Sequence, residues 1–189
     1  MSRILWVIAE DEHDVAILRQ IFAKLKISIA VRAYPRGQTP GIGGLARNLT
    51  KWLADIRNGP HWKQGDCIAV LHDQDSTVLE HQPLKKQIEA ICQREKLVRL
   101  VADDKIEAWL LADAGLCGFL GITPQHWDGR PDAKRELETR LRPKKMTYQS
   151  RDRERLIEKL DGSAVKLSPS LKQSIEALQA ADCLPGNAL

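Results

Sequence analysis

The chain has no apolar run long enough to span a bilayer, and its first residues lead straight toward a strand instead of forming a secretory signal. Both absences predict a cytoplasmic protein with no membrane partner. Cysteine is sparse: residues 67, 92, 117 and 183 lack the C-x-x-C spacing of a structural zinc site, and three of them sit inside apolar runs, where a thiol acts as a small hydrophobe. This argues against a zinc site and against a disulfide framework. No internal repeat, low-complexity segment or base-reading motif is visible, so neither a solenoid nor a sequence-specific nucleic-acid reader is indicated. What is present is ordinary for a globular chain: 189 residues, 43% hydrophobic and 29% charged, with a net charge of +4. That length suits one buried domain with a small appendage.

The hydrophobic pattern predicts alternating strands and helices. Residues 3–9 read as a buried strand and 12–25 as a helix carrying Val15, Ile17, Leu18, Ile21, Phe22 and Leu25 at helical spacing. A strand over 27–33, a proline- and glycine-rich loop over 34–44 and a helix over 45–57 follow. Next come a strand at 67–72, a helix at 83–94, a strand at 97–101 and a helix opening after Asp103-Asp104. Four strands separated by helices predict an α/β fold with a mostly parallel sheet flanked by helices. From Thr123-Pro124 onward only helices are expected, one starting at Pro124 and others over 131–142, 152–160 and 170–180. The division is an α/β core over 1–115 and a helical extension over 116–189 packed on it.

The chemistry lies in carboxylates at strand ends. Glu10, Asp11 and Asp14 follow the first strand, and Asp73 and Asp75 follow the third. In an open α/β sheet the ligand crevice lies beyond the carboxyl ends of the strands. Carboxylates crowded there repel one another unless a hard cation sits among them, and Mg²⁺ is the natural one. Glu10 stands nearest its strand end, with Asp14 one helical turn on; Glu12 and His13 read as ordinary helix-start residues. In extended backbone Asp73 and Asp75 project to the same side, although either could instead cap a following helix. The later part of the chain is rich in basic residues, among them Lys134, Arg142, Lys144, Lys145, Arg151 and Arg153, which suits phosphates; interleaved acids make a solvated helix face the competing reading. Of the five tryptophans, Trp52, Trp62 and Trp127 lie near loop or helix ends, where an interface competes with simple burial.

The order strand, Glu10-x-x-x-Asp14, helix, later strand, Asp73-x-Asp75 resembles the Toprim superfamily, the Mg²⁺-binding fold of topoisomerases, bacterial primases and the overcoming-lysogenization-defect nucleases. A narrower similarity, covering nearly the whole chain, is to small stand-alone Toprim-like proteins called domain of unknown function 4276. It rests on Ile106-Glu107-Ala108-Trp109-Leu110-Leu111-Ala112-Asp113, the stretch from Arg36-Gly37 to Gly43-Gly44, and Ser168-Pro169-Ser170. Two departures stand out: Asp11 replaces the usual glycine after the glutamate, and Tyr148 is not followed by the lysine of a Y-x-K motif.

The resemblance implies a Toprim-like (Rossmann-like) sheet and a nuclease that hydrolyses phosphodiester bonds with Mg²⁺ or Mn²⁺. Glu10, Asp14, Asp73, Asp75 and Glu107 would be the ligands, and Lys145, Arg151 or Lys144 the missing cation. It also implies nucleic acid as partner, DNA ahead of RNA, and an ATPase in a bacterial anti-phage defence system. The alternative is a non-catalytic subunit that binds nucleic acid or the ATPase. Two further readings rank lower: Asp73-Gln74-Asp75-Ser76-Thr77 satisfies the D-x-D-x-T motif of haloacid-dehalogenase-type phosphatases, and a receiver-like reading makes Asp73 a phosphoacceptor with Lys105 beside it.

Overall fold

A computed structural model describes residues 3–75 and 77–184 of the chain. It is an α/β fold with four parallel strands in the order β2-β1-β3-β4, a Rossmann-like arrangement with helices on both faces. The strands are β1 (Ile4–Ala9), β2 (Ala30–Tyr34), β3 (Cys67–Asp73) and β4 (Val98–Ala102). The helices are α1 (Glu12–Lys24), α2 (Gly41–Arg57), α3 (Gln82–Glu95), α4 (Glu107–Ala112), α5 (Ala114–Leu120), α6 (Ala133–Leu141), α7 (Ser150–Ile157) and α8 (Pro169–Ala180). No helix among the described residues is long and apolar enough to cross a membrane.

Strand alternation sorts the core into two layers. Leu5, Val7 and Ala9 of β1 face one apolar cluster, Ile4, Trp6 and Ile8 the other. All six residues of β1 are buried, as expected for a central strand covered on both sides. The first cluster holds α1 residues together with Leu137 and Leu141 of α6, Leu156 of α7 and Leu171, Ile175 and Leu178 of α8. The later helices therefore share one core with the sheet. The second holds α2 and α3 residues, among them Leu45, Leu49 and Ile88. The chain steps from β1 outward to β2, then back past β1 to β3. Crossovers of one hand then send α1 to one face and α2 and α3 to the other. The direction of winding reverses between β1 and β3, and the crevice of a doubly wound sheet opens at that point.

Several expected boundaries shift for physical reasons. The loop predicted over 34–44 ends early, because α2 starts at Gly41, whose positive φ of 59° and N–H bond to the Glu10 carbonyl (3.1 Å) turn the chain into the helix. Gly44 allows close packing there, since a β-carbon at that position would lie 2.7 Å from Pro40 Cβ. The helix expected from Pro124 does not form. The chain instead makes α5 and then a loop, in which Asp128 accepts from the Ser168 hydroxyl (2.8 Å) and the Ser170 N–H (2.6 Å). The glycines at 115 and 118 hid α5 from the pattern.

The cysteines also need a correction. Cys92 and Cys117 are buried thiols whose pKa values burial pushes up to about 11, as expected of small hydrophobes. Cys67 and Cys183 instead form a disulfide, with α-carbons 5.7 Å apart. It ties the first residue of β3 to the segment after α8 across 116 residues of sequence, a pairing that spacing does not reveal.

Candidate metal and phosphate site

The acids at the switch point are placed by backbone. Glu10 follows β1 directly, and its Oε1 accepts the Asp73 N–H at 3.1 Å, so one side chain joins the ends of β1 and β3. Asp11 caps α1 by accepting the His13 N–H at 2.9 Å. Asp14 sits in the first turn of α1. Asp73 ends β3, and its Oδ1 accepts the Ile106 N–H at 3.0 Å, capping the turn that leads into α4. That cap brings Glu107, 5% exposed, to the same place. The Asp103-Asp104 pair expected to cap this helix yields that role to a residue from another strand.

Four of these carboxylates hold their protons more tightly than usual. Glu10 is pushed from the ordinary 4.5 to about 7, chiefly by burial, with Asp75 adding repulsion. Asp14 lies well above the usual carboxylate range through burial and through the charges of Asp73, Asp11, Glu107 and Glu10. Asp73 is raised in the same way by burial, then by Glu107 and Glu10. Burial also raises Glu107. Asp14 and Asp73 each feel the charges of Glu10 and Glu107, and repulsion of that kind requires proximity, so Glu10, Asp14, Asp73 and Glu107 form one electrostatic group.

Asp75 behaves differently. The strand stops at Asp73, and Asp75 takes a left-handed conformation (φ 40°) in place of the extended backbone expected of the D-x-D. Its N–H donates to the Asp104 carbonyl at 2.8 Å, its Oδ1 pairs with the Lys105 ammonium, and its Oδ2 lies 3.3 Å from His81 Nδ1. Burial alone would raise this carboxyl, but Lys105 outweighs it and holds Asp75 below the usual range. Buried Lys85 fixes the turn by donating to the carbonyls of Gln74 and, at 3.0 Å, Asp75.

The cations at the site are not the expected ones. Lys145 and Arg151 are exposed and stand away from the ion pairs of the site, and Lys144 lies over the Phe119 ring at 4.7 Å. Arg153 takes that place. Its Nη1 pairs with Asp11 Oδ2 at 2.9 Å, its Nε donates to the Tyr148 carbonyl at 3.3 Å, and its guanidinium lies 4.4 Å from the Tyr148 ring centre. Its charge reaches Asp14 and Glu107. Tyr148 is buried beneath it, its hydroxyl pKa raised well above ordinary by burial and by Glu107 and Asp14. Lys134 of α6 and Lys105 also act on Glu107.

As the side chains stand, no three acidic, histidine or cysteine groups among the described residues are gathered closely enough to hold one ion. The donor chemistry nonetheless suits a hard cation. Glu10 and Asp73 each give one oxygen to a backbone N–H, which leaves the other, while the charge of the four carboxylates is only partly balanced by Arg153, Lys134 and Lys105. Of the haloacid-dehalogenase-type motif, Ser76 lies outside the described residues, and Asp75 is engaged by Lys105 and His81.

Compared with known proteins, the chain matches no family model, no curated protein and no solved structure.

Proposed function

We propose that the protein is a Mg²⁺-dependent, Toprim-type nuclease that hydrolyses phosphodiester bonds in nucleic acid. The observation that carries this reading is the group of four carboxylates, Glu107 buried and Glu10, Asp14 and Asp73 half-buried, gathered at the switch point between β1 and β3 with their proton affinities raised. Glu10, Asp14, Asp73 and Glu107 would hold the cation, with Asp75 in a supporting ion pair. A bound divalent ion would supply Lewis-acid charge to the phosphate and lower the pKa of an attacking water.

The chain's own groups divide the remaining work. Arg153, oriented by Asp11 and Tyr148, faces the negative charge that develops on the phosphoryl oxygens. Lys105 is held by Asp75 and reaches Asp73 and Glu107 electrostatically, giving a second positive charge. Asp11 keeps the guanidinium fixed while it also caps α1. The preference for DNA, the partner ATPase and the role in anti-phage defence follow from the Toprim-like resemblance and depend on it, whereas the cytoplasmic location rests on the lack of a predicted membrane span and secretory signal.

The test is cleavage of supercoiled plasmid, single-stranded DNA and RNA with Mg²⁺ or Mn²⁺ by wild type and Asp73→Asn. Metal-dependent cutting lost in the variant supports the nuclease. Absence of cutting by either, with and without the partner ATPase, shifts the reading to a non-catalytic binding subunit. The Lys105 charge beside Asp73 favours one second reading, a receiver-like phosphoacceptor. Labelling of Asp73 by acetyl phosphate would support it.

A further inference from the structure

The chain has five tryptophans, two tyrosines and two phenylalanines, and three of these nine rings line a single cavity remote from any role given above. The cavity, of about 390 Å³, lies against β1, the end of β2 and the end of α2, with Trp6, Tyr34 and Trp62 in its wall. Hydrogen bonds at the polar tips fix two of the rings. Trp6 Nε1 donates to Asp66 Oδ2 at 3.3 Å, and the Tyr34 hydroxyl donates to Asp55 Oδ2 at 3.3 Å. The Trp62 N–H donates to the Gly59 carbonyl at 3.2 Å, closing the turn that carries the third. Such rings meet a flat ligand without first having to be ordered.

The rim carries one guanidinium, that of Arg36. Arg36 is exposed, and the residue after it is anchored, because the Gly37 N–H donates to Glu12 Oε2 at 2.6 Å. Among the described residues Asp55 is the one acid in the lining, and it accepts a hydrogen bond from Tyr34. Aromatic walls ask for a planar ring and a free guanidinium at the mouth asks for an anion. The volume lies toward the small end of ligand pockets, enough for a single ring-bearing unit.

We propose that this pocket binds one nucleotide, its base stacked against half-buried Tyr34 and Trp62, with buried Trp6 in the wall beneath the Arg32 guanidinium, and its phosphate on Arg36. The pocket uses none of the carboxylates assigned to the cation, so it stands apart from the nuclease reading. Tyr34 is nevertheless in register with Ile8, two residues before Glu10, so its wall of the pocket is the one turned toward the acids. The nucleotide therefore comes either from solution or as one unit of a strand whose phosphodiester lies at the acids.

Calorimetric titration of the full chain with AMP, adenosine, ribose 5-phosphate and an eight-nucleotide single-stranded DNA in Ca²⁺ tests this. AMP is expected to bind with a Kd on the order of 0.1–1 mM, and ribose 5-phosphate not at all. Trp62→Ala weakens AMP about tenfold or more, the size of one base stack. Arg36→Ala, on an exposed loop and free of folding effects, weakens AMP and leaves adenosine unchanged. Asp73→Asn leaves AMP binding intact, which separates this site from the acids. Tighter binding of the oligonucleotide than of AMP, lost in Trp62→Ala, assigns the pocket to a strand, and equal or weaker binding assigns it to a free nucleotide. No AMP binding, equal binding of ribose 5-phosphate, or AMP affinity untouched by both Trp62→Ala and Arg36→Ala would overturn the proposal.

Discussion

The two ends of the same parallel strands treat charge in opposite ways. At the amino end the Asp66 carboxylate accepts from the Ile4 N–H (2.9 Å), the Trp6 indole (3.3 Å) and the Lys63 N–H (3.1 Å). Next to it Cys67 is bonded to Cys183, and Arg3 pairs with Asp182 at 3.3 Å. At the carboxyl end Glu10, Asp14, Asp73 and Glu107 are gathered in a partly desolvated site, and their proton affinities rise. An acid supplied with N–H donors serves stability, whereas acids that share too few are held at a cost to the fold, and such costs gather at functional sites.

The contrast is broken most severely at Asp73. Asp73→Asn is expected to reduce metal-dependent cleavage on the order of 10³-fold, about 4 kcal/mol of transition-state stabilisation, while the protein without metal stays folded. A cleavage assay beside a thermal melt separates the two effects. At the opposite end Cys183→Ser, or reduction of the wild type, removes a cross-link that closes 116 residues. A loss of about 3 kcal/mol in urea unfolding is expected, with cleavage per folded molecule unchanged.

Glu10 gives the contrast a pH signature. Its folded pKa of about 7 lies above the ordinary 4.5, so the folded state holds the proton more tightly than the unfolded chain. The stability it contributes is complete below pH 4.5 and is lost as pH rises through about 7. The loss is about 3 kcal/mol for this group, and the upward shifts of Asp14, Asp73 and Glu107 act in the same direction. Urea unfolding from pH 4 to 8 without metal should show this fall, and Glu10→Gln should flatten it.

Arg153→Met is expected to lower cleavage about 10²-fold, near 2.7 kcal/mol, whereas Lys145→Met and Arg151→Met leave it unchanged. The smallest effect is at Asp66. Asp66→Ala leaves the Ile4 and Lys63 N–H groups and the Trp6 indole without their acceptor and should remove about 2 kcal/mol of stability, read by urea unfolding, with cleavage intact.

The difference between the ends also marks how far the sequence could be read. Strand-end acids are visible because an apolar run that stops at a carboxylate announces both the strand and its exit, and so Glu10 and Asp73 were legible, with Asp14 following from one turn of helix. The alternating pattern likewise announced the four strands and most helices. Glu107 entered through the resemblance alone, since a first-turn glutamate serves any helix. Arg153 was passed over for Lys145 and Arg151 because the choice depends on how α7 packs against α1, which no local pattern encodes. The fate of Asp75 turned on a left-handed residue just past the strand, where the two-residue period of extended backbone ceases to apply.

The most direct measurement is calorimetric titration of Mn²⁺ and Mg²⁺ into the wild type, Asp73→Asn and Asp66→Asn at pH 7.5. The account predicts saturable binding by the wild type and by Asp66→Asn, and its loss in Asp73→Asn. No binding by the wild type, or equal binding by Asp73→Asn, would contradict it.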